Sequence, residues 1–166
     1  MNGEYAALAA RIRESLAELE RVVNRAEELR DKALRTGDDG YWDGTALNLH
    51  GFYAGVEQIF EDVARTMEGS VPEGPNWHPD LLLQMSAEVS GARPPVVTRE
   101  TRHCLDEYRG FRHVVRNVYV FNLRPTRLQE LVAGLRACAA LVTSDITSFA
   151  SALDQLARSD ESEVQD

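Results

Sequence analysis

The sequence predicts an all-α fold, an up-down bundle of four long helices and one short one. Three observations carry that prediction. Apolar residues recur at intervals of three and four along most of the chain. No run sustains the period-two alternation of a half-buried strand. The 6 prolines, with five of the 11 glycines, lie at the ends of the periodic stretches or between them.

The first helix is expected over residues 4–35, where Leu8, Ile12, Leu16, Leu19, Val23, Ala26, Leu29 and Leu34 form one stripe and Arg, Glu and Asp fill the rest. Thr36-Gly37-Asp38-Asp39-Gly40 ends it with turn chemistry. The second helix is expected over 41–67, with Leu47, Leu49, Phe52, Val56, Ile59, Phe60, Val63 and Ala64 as its buried set. Two glycines and two prolines make 69–75 a loop. A short helix over 79–89 has Leu81, Leu82, Leu83 and Met85 to bury, and Gly91-Ala92-Arg93-Pro94-Pro95 follows as a second loop. Thr98, with Glu100 and Thr101, can start a fourth helix that runs to about 121. Pro125 suits the first turn of the last helix, which reaches 158 through Leu128, Leu131, Leu135, Cys138, Val142, Ile146, Phe149 and Leu153. One domain therefore covers 1–158, and the polar, acidic segment 159–166 is expected to be a disordered tail.

Composition narrows the function classes. Hydrophobic residues make up 43% and charged residues 27% of 166, ordinary proportions for a soluble domain with a real core. A formal net charge of -9 argues against a protein that coats nucleic acid non-specifically, yet allows a local cationic site. Cys104 and Cys138 lie in helical patterns with no metal-ligand spacing, and read as small core thiols in a reducing compartment. No signal-type apolar run opens the sequence and no stretch has the uninterrupted apolar length of a membrane span, so a cytoplasmic protein without a membrane partner is expected.

No phosphate loop, His-Glu-x-x-His pair or nucleophile elbow is present, and His50, His78, His103 and His113 share no ligand spacing. No metal and no cofactor is expected. Glu57 and Glu61 stand four apart, a pairing that more often marks a solvated face than a general-acid couple. Phe52, Tyr53 and Trp77 read as core residues, and His50 as a structural histidine.

One constellation stands out. Arg109, Arg112, His113 and Arg116 fall at offsets 0, 3, 4 and 7, one face of a helix with about 3.6 residues per turn. Three guanidiniums and an imidazole in one stripe, on an acidic protein, point to an anionic ligand or partner. Arg102 and Asp106 stand four apart and Asp106 and Arg109 three apart, so surface ion pairs with Asp106 can absorb part of that charge. Arg is matched to phosphate oxygens and stays charged at any relevant pH. Metal-free RNA cleavage needs a base for the 2′-hydroxyl, a cation for the charge at phosphorus and an acid for the leaving oxygen. Two copies of the stripe facing each other across a two-fold axis make a denser site than one.

Two regions carry a likeness to a known family. One is Leu49-His50-Gly51-Phe52-Tyr53-Ala54-Gly55-Val56-Glu57-Gln58-Ile59-Phe60. The other opens with Trp77-His78-Pro79-Asp80-Leu81-Leu82, passes through Arg93-Pro94-Pro95 and closes over 108–123. In these the chain resembles the HepT-like branch of the HEPN superfamily, the HEPN half of two-gene modules that also encode a minimal nucleotidyltransferase. The resemblance implies a metal-independent endoribonuclease acting in a homodimer cleft, silenced when the partner nucleotidyltransferase adds AMP to a tyrosine. The family signature is an Arg, four to six residues, then a His, commonly followed by x-Tyr. Its Arg falls on Arg112 and its Tyr on Tyr119, but Asn117 occupies the His position. Asn is neither an acid nor a base near neutral pH, and loss of a general base costs ~10²–10⁴-fold in rate. His113 stands four positions earlier, about 40° around the helix from the signature position.

Arg112, His113 and Asn117 are thus the catalytic candidates, Arg109, Arg112 and Arg116 the RNA- or phosphate-binding ones, and Tyr119 the modification candidate. Three readings stay open: a toxin that binds and cleaves RNA, a catalytically inactive module that docks and assists the nucleotidyltransferase antitoxin, and a nucleotide-binding subunit serving that enzyme.

Overall fold

Five helices make up the described part of the molecule: α1 (Asn2–Thr36), α2 (Gly40–Glu68), α3 (Trp77–Met85), α4 (Arg99–Asn117) and α5 (Pro125–Glu163). The computed structural model describes the backbone of residues 2–117 and 123–163, and side chains over 3–115 and 123–159. No strand occurs among the described residues; a lone antiparallel bridge joins Val89 to Arg93 between α3 and α4. The all-α class and the four-long, one-short pattern are as the periodicity predicts.

The long helices α1, α2 and α5 form the frame, with α1 packed against both others. Leu8, Ile12, Val23 and Ala26 of α1 meet Leu49, Phe52, Val56 and Phe60 of α2 and Leu135, Ile146 and Leu153 of α5 in one core. Gly44 and Gly55 let α2 close on α1: a Cβ at either position would overlap Leu29 or Leu19. The shorter α3 and α4 cover the far side of α2.

Three leucines expected inside lie outside. Leu34 is 57%, Leu47 69% and Leu83 56% exposed. Helical phase is the reason. Leu34 follows Leu29 by five, so Ala33, at the regular interval of four, takes the inner position. Thr45, Ala46 and Leu49 hold the inner face of α2, and Leu81, Leu82 and Met85 that of α3, which turns the intervening leucine outward in each case.

Several boundaries also move. The short helix spans Trp77–Met85 rather than 79–89. The backbone N–H of Ser86 turns back to Leu83 O at 3.1 Å and Val89 bridges Arg93, so the chain has left the helix before Val89. At the other end, Asp80 N–H donates to Asn76 O at 3.1 Å, which starts the helix two residues early. The described part of α4 ends at Asn117, and residues 118–122 lie outside the described residues. The last helix continues past 158 to Glu163. Residues 159–163 contain no Gly or Pro, and Ser159 Oγ donates to Gln155 O at 2.8 Å, so the first part of the expected tail is helical. Residues 164–166 lie outside the described residues.

The two cysteines differ from expectation too. Cys104 on α4 and Cys138 on α5 are joined in a disulfide, with Cα atoms 5.8 Å apart, where the sequence reading expects separate thiols. Packing of α4 on α5 brings the two positions to bonding distance. By length and composition α5 is apolar enough to cross a membrane, but its stripe Leu128, Leu131, Leu135, Val142 and Ile146 is spent on the core. The core helix of a soluble protein meets the same criterion.

Candidate functional site

Two arginines of the α4 stripe, Arg109 and Arg112, are largely covered. The inner face of α4 is set by Thr101, Leu105, Tyr108 and Phe111. Arg112 follows Tyr108 by four residues and so lies at the edge of that face, with its side chain 16% exposed. It points inward, toward α2 and the start of α3. Arg109 is 25% exposed and is held by Asp106, Nε to Oδ1 at 2.7 Å. His113 is exposed on the outer side. Arg116 and Asn117 belong to α4 by backbone alone, and Tyr119 lies outside the described residues.

Arg112 meets two residues that the sequence reading gave no chemical role. Glu57 follows Tyr53 by four and precedes Phe60 by three, so it sits on the buried face of α2 and is only 3% exposed. The sequence reading places it on a solvated face; the core phase of α2 overrides that. Glu61, its i+4 neighbour, turns outward instead and pairs with Arg65 at 2.7 Å. A buried carboxylate needs partners. Glu57 Oε2 lies 2.7 Å from His78 Nδ1, and its Oε1 lies 3.8 Å from Arg112 Nη2.

His78 is presented by the turn that leads into α3. Gly74 takes φ 97°, a left-handed backbone that favours glycine, and its carbonyl accepts from Trp77 N–H at 3.3 Å. The Trp77 and His78 rings lie side by side, with centroids 3.6 Å apart and a 32° tilt. That contact and the Glu57 bond fix the imidazole. Arg112 Nη1 lies 3.2 Å from Nδ1 and 3.1 Å from Nε2 of the same ring. With Nδ1–H donating to Glu57, only Nε2 is left to accept from Arg112, and the approach of Nη1 to Nδ1 is a contact of the guanidinium with the ring and not a hydrogen bond.

Two buried polar atoms nearby have no hydrogen-bond partner, Arg112 Nε and Tyr53 Oη. Burial pushes the Tyr53 hydroxyl well above its ordinary pKa, and the Glu57 charge adds to the effect, so the hydroxyl stays protonated. The Glu57–His78–Arg112 cluster opens on a cleft of about 590 Å³, lined by Pro75, Asn76, His78, Pro79, Arg109, Arg112 and His113. The structure thus brings Arg109, Arg112 and His113 to one cleft, and adds His78 and Glu57. Among the described residues no group of three His, Cys, Asp or Glu side chains is arranged to hold a metal ion.

Chemically, the cleft offers a guanidinium with donors to spare, an imidazole oriented by a buried carboxylate, and a second imidazole on its rim. That set suits an oxyanion such as a phosphodiester. A family model described as "HepT-like protein" matches residues 44–153, about two thirds of the chain, and spans every member of this cluster. No curated protein and no solved structure matches the chain.

Proposed function

This chain belongs to the HepT-like family of the HEPN superfamily, and from that premise we propose that it is the HEPN toxin component of a nucleotidyltransferase–HEPN module, binding and cleaving RNA. The observation that carries the reading is the cleft in which Arg109, Arg112 and His113 converge. A phosphodiester there meets the Arg112 fork and competes with Asp106, an exposed and weakly held partner, for Arg109. Arg116 extends the same stripe by one turn. A homodimer that sets two clefts side by side lengthens the cationic track. Its inferred location is the cytoplasm.

In this reading the partner is a minimal nucleotidyltransferase antitoxin that adds AMP to Tyr119. An adenylyl group on Tyr119, seven residues beyond Arg112 in the sequence, adds negative charge that opposes RNA binding by repulsion. Two measurements test the reading. Purified protein is incubated with transfer RNA, and cleavage that disappears in Arg112→Ala supports it. The chain is also co-expressed with the neighbouring nucleotidyltransferase gene and weighed intact; a gain of one AMP on a peptide containing Tyr119 fixes partner and regulation together. An intact chain that neither gains AMP nor cuts RNA refutes the proposal. Asn117 at the signature His position favours a second reading, an inactive module that docks the nucleotidyltransferase without turnover. Co-purification with that enzyme, and no toxicity when expressed alone, is the outcome it requires.

A further inference from the structure

We infer that His78, oriented by Glu57, is the catalytic base of this chain, standing in for the histidine that α4 lacks at Asn117. The inference rests on the nuclease reading above and names the group that performs its first step.

His78 arises from α3, not from the α4 signature, yet its ring lies within 3.2 Å of Arg112 Nη1. Glu57 is buried on α2 and accepts a hydrogen bond from Nδ1–H at 2.7 Å, which leaves Nε2 with the free lone pair and stabilises the imidazolium once it forms. An ionised carboxylate buried behind a half-buried histidine is costly for a core to keep. Core packing alone would be served as well by an apolar residue at position 57. Asn76 and Pro79 flank His78 on the wall of the cleft, so the ring is reachable.

In the structure Arg112 Nη1 covers Nε2 at 3.1 Å. A phosphodiester is a stronger, bidentate acceptor for that guanidinium than a neutral ring nitrogen. The unpartnered Arg112 Nε is a further donor for it. When Arg112 turns to the phosphate, Nε2 is uncovered beside the ribose. The 2′-hydroxyl proton passes to Nε2 as the O2′–P bond forms. The P–O5′ bond breaks, and the departing 5′ oxygen takes a proton from water in the cleft that His113 also lines. The products are a 2′,3′-cyclic phosphate and a 5′-hydroxyl, and the hydroxide left by that water takes the proton held on His78. Glu57 touches no reacting atom and is a positioning residue.

The test uses the full chain, end-labelled RNA and a chelator. Wild type, His78→Ala, His78→Asn and Glu57→Gln are compared for folding by circular dichroism, RNA binding by anisotropy, and cleavage across pH. His78→Ala is expected to bind RNA but cleave ~10²–10⁴-fold more slowly, with part of the rate restored by added imidazole. His78→Asn keeps an amide donor for Glu57 and serves if the alanine variant does not fold; it is expected to lose the same rate. Glu57→Gln is expected to retain cleavage but shift the acidic limb of the pH–rate profile, which a merely structural role would leave in place. If wild type cleaves and a folded His78 variant cleaves within about threefold of it, His78 is not the base, while the nuclease reading stands. A wild type that cuts no RNA overturns both.

Discussion

Arg93 offers the sharpest test of how the loop between α3 and α4 is held. Its side chain has no exposure, and its partner Glu68 is 8% exposed. Nε donates to Glu68 Oε1 at 2.6 Å, Nη1 to Ala87 O at 2.9 Å and Pro94 O at 3.0 Å, and Nη2 to Gln84 O at 3.1 Å. Gln84 closes on the same carboxylate. One guanidinium thus gathers the end of α2, the end of α3 and the loop into a single knot. Arg93→Ala removes the cation from a buried carboxylate that keeps only Gln84 as a donor, and takes the guanidinium from three carbonyls, of which Gln84 O keeps the Ala87 N–H. Removal of one partner from a buried pair costs about 3–5 kcal/mol. For a chain of this length that corresponds to a fall in Tm of roughly 6–20 °C. Urea melts followed by circular dichroism give the free energy, and an unchanged m-value confirms that the transition is the same one. The double variant Arg93→Met/Glu68→Leu removes the stranded charge and leaves only the carbonyls, so it is expected to recover all but about 1–3 kcal/mol. An Arg93→Ala protein within about 1 kcal/mol of wild type would show that the knot is solvated and refute the reasoning.

The two buried tyrosines make a contrasting pair. Tyr108 Oη donates to Leu131 O at 2.7 Å, so Tyr108→Phe is expected to cost about 1–2 kcal/mol, whereas Tyr53→Phe deletes an unpartnered hydroxyl and is expected to leave stability equal or slightly higher. Burial raises both pKa values above the ordinary 10.0, so the unfolded chain ionises first as pH rises. Stability is then full below pH 10 and declines above it, by about 3 kcal/mol for the pair at pH 11, and a Tyr53→Phe/Tyr108→Phe protein melted across that range should lose this decline. Reduction of Cys104–Cys138 opens a cross-link between residues 34 apart and is expected to cost about 3–4 kcal/mol, read as a lower Tm in reductant; two titratable thiols in the denatured, unreduced protein would contradict the bond. Asp145 Oδ2 accepts from Thr98 N–H at 2.9 Å, Thr98 Oγ1 at 3.1 Å and Thr101 Oγ1 at 2.6 Å, so Asp145→Ala is expected to cost about 1–2 kcal/mol and to speed amide exchange in the first turn of α4.

Much of the frame was legible because periodicity reports burial directly. The whole α5 set from Leu128 to Leu153 is in the core, as are Leu8 to Leu29 of α1. Thr98 starts α4 as its spacing suggests, accepting from Thr101 N–H at 3.2 Å. The failures share one cause, a residue judged by type when its helical phase decided. Leu34, Leu47 and Leu83 read as core by residue type, yet their phase turns them outward. Glu57 was placed outside because it is charged, although Tyr53 and Phe60 on either side of it fix an inward phase. Arg112 carries the same signal through Leu105 and Tyr108. The disulfide and the His78 contact depend on how α4 lies against α5 and α3, and no local pattern encodes that register.

Charge placement explains how an acidic chain can keep such a cleft. Arg109 leans on Asp106, while Arg112 lies against the His78 ring and 3.8 Å from the buried Glu57, so these two cations are offset from within. A stripe compensated in this way exerts little long-range pull on nucleic acid and does not conflict with a net charge of -9. Under the proposed function it becomes effective only when a phosphate arrives in register and draws Arg112 off the ring. Binding and exposure of the His78 base are then one event, because the guanidinium that grips the phosphate is the group that covers Nε2. Such coupling favours an anion that fills the cleft over one that only brushes the surface, since the second never frees the ring. The distribution of carboxylates behind the arginines therefore contributes to selectivity as much as the arginines do.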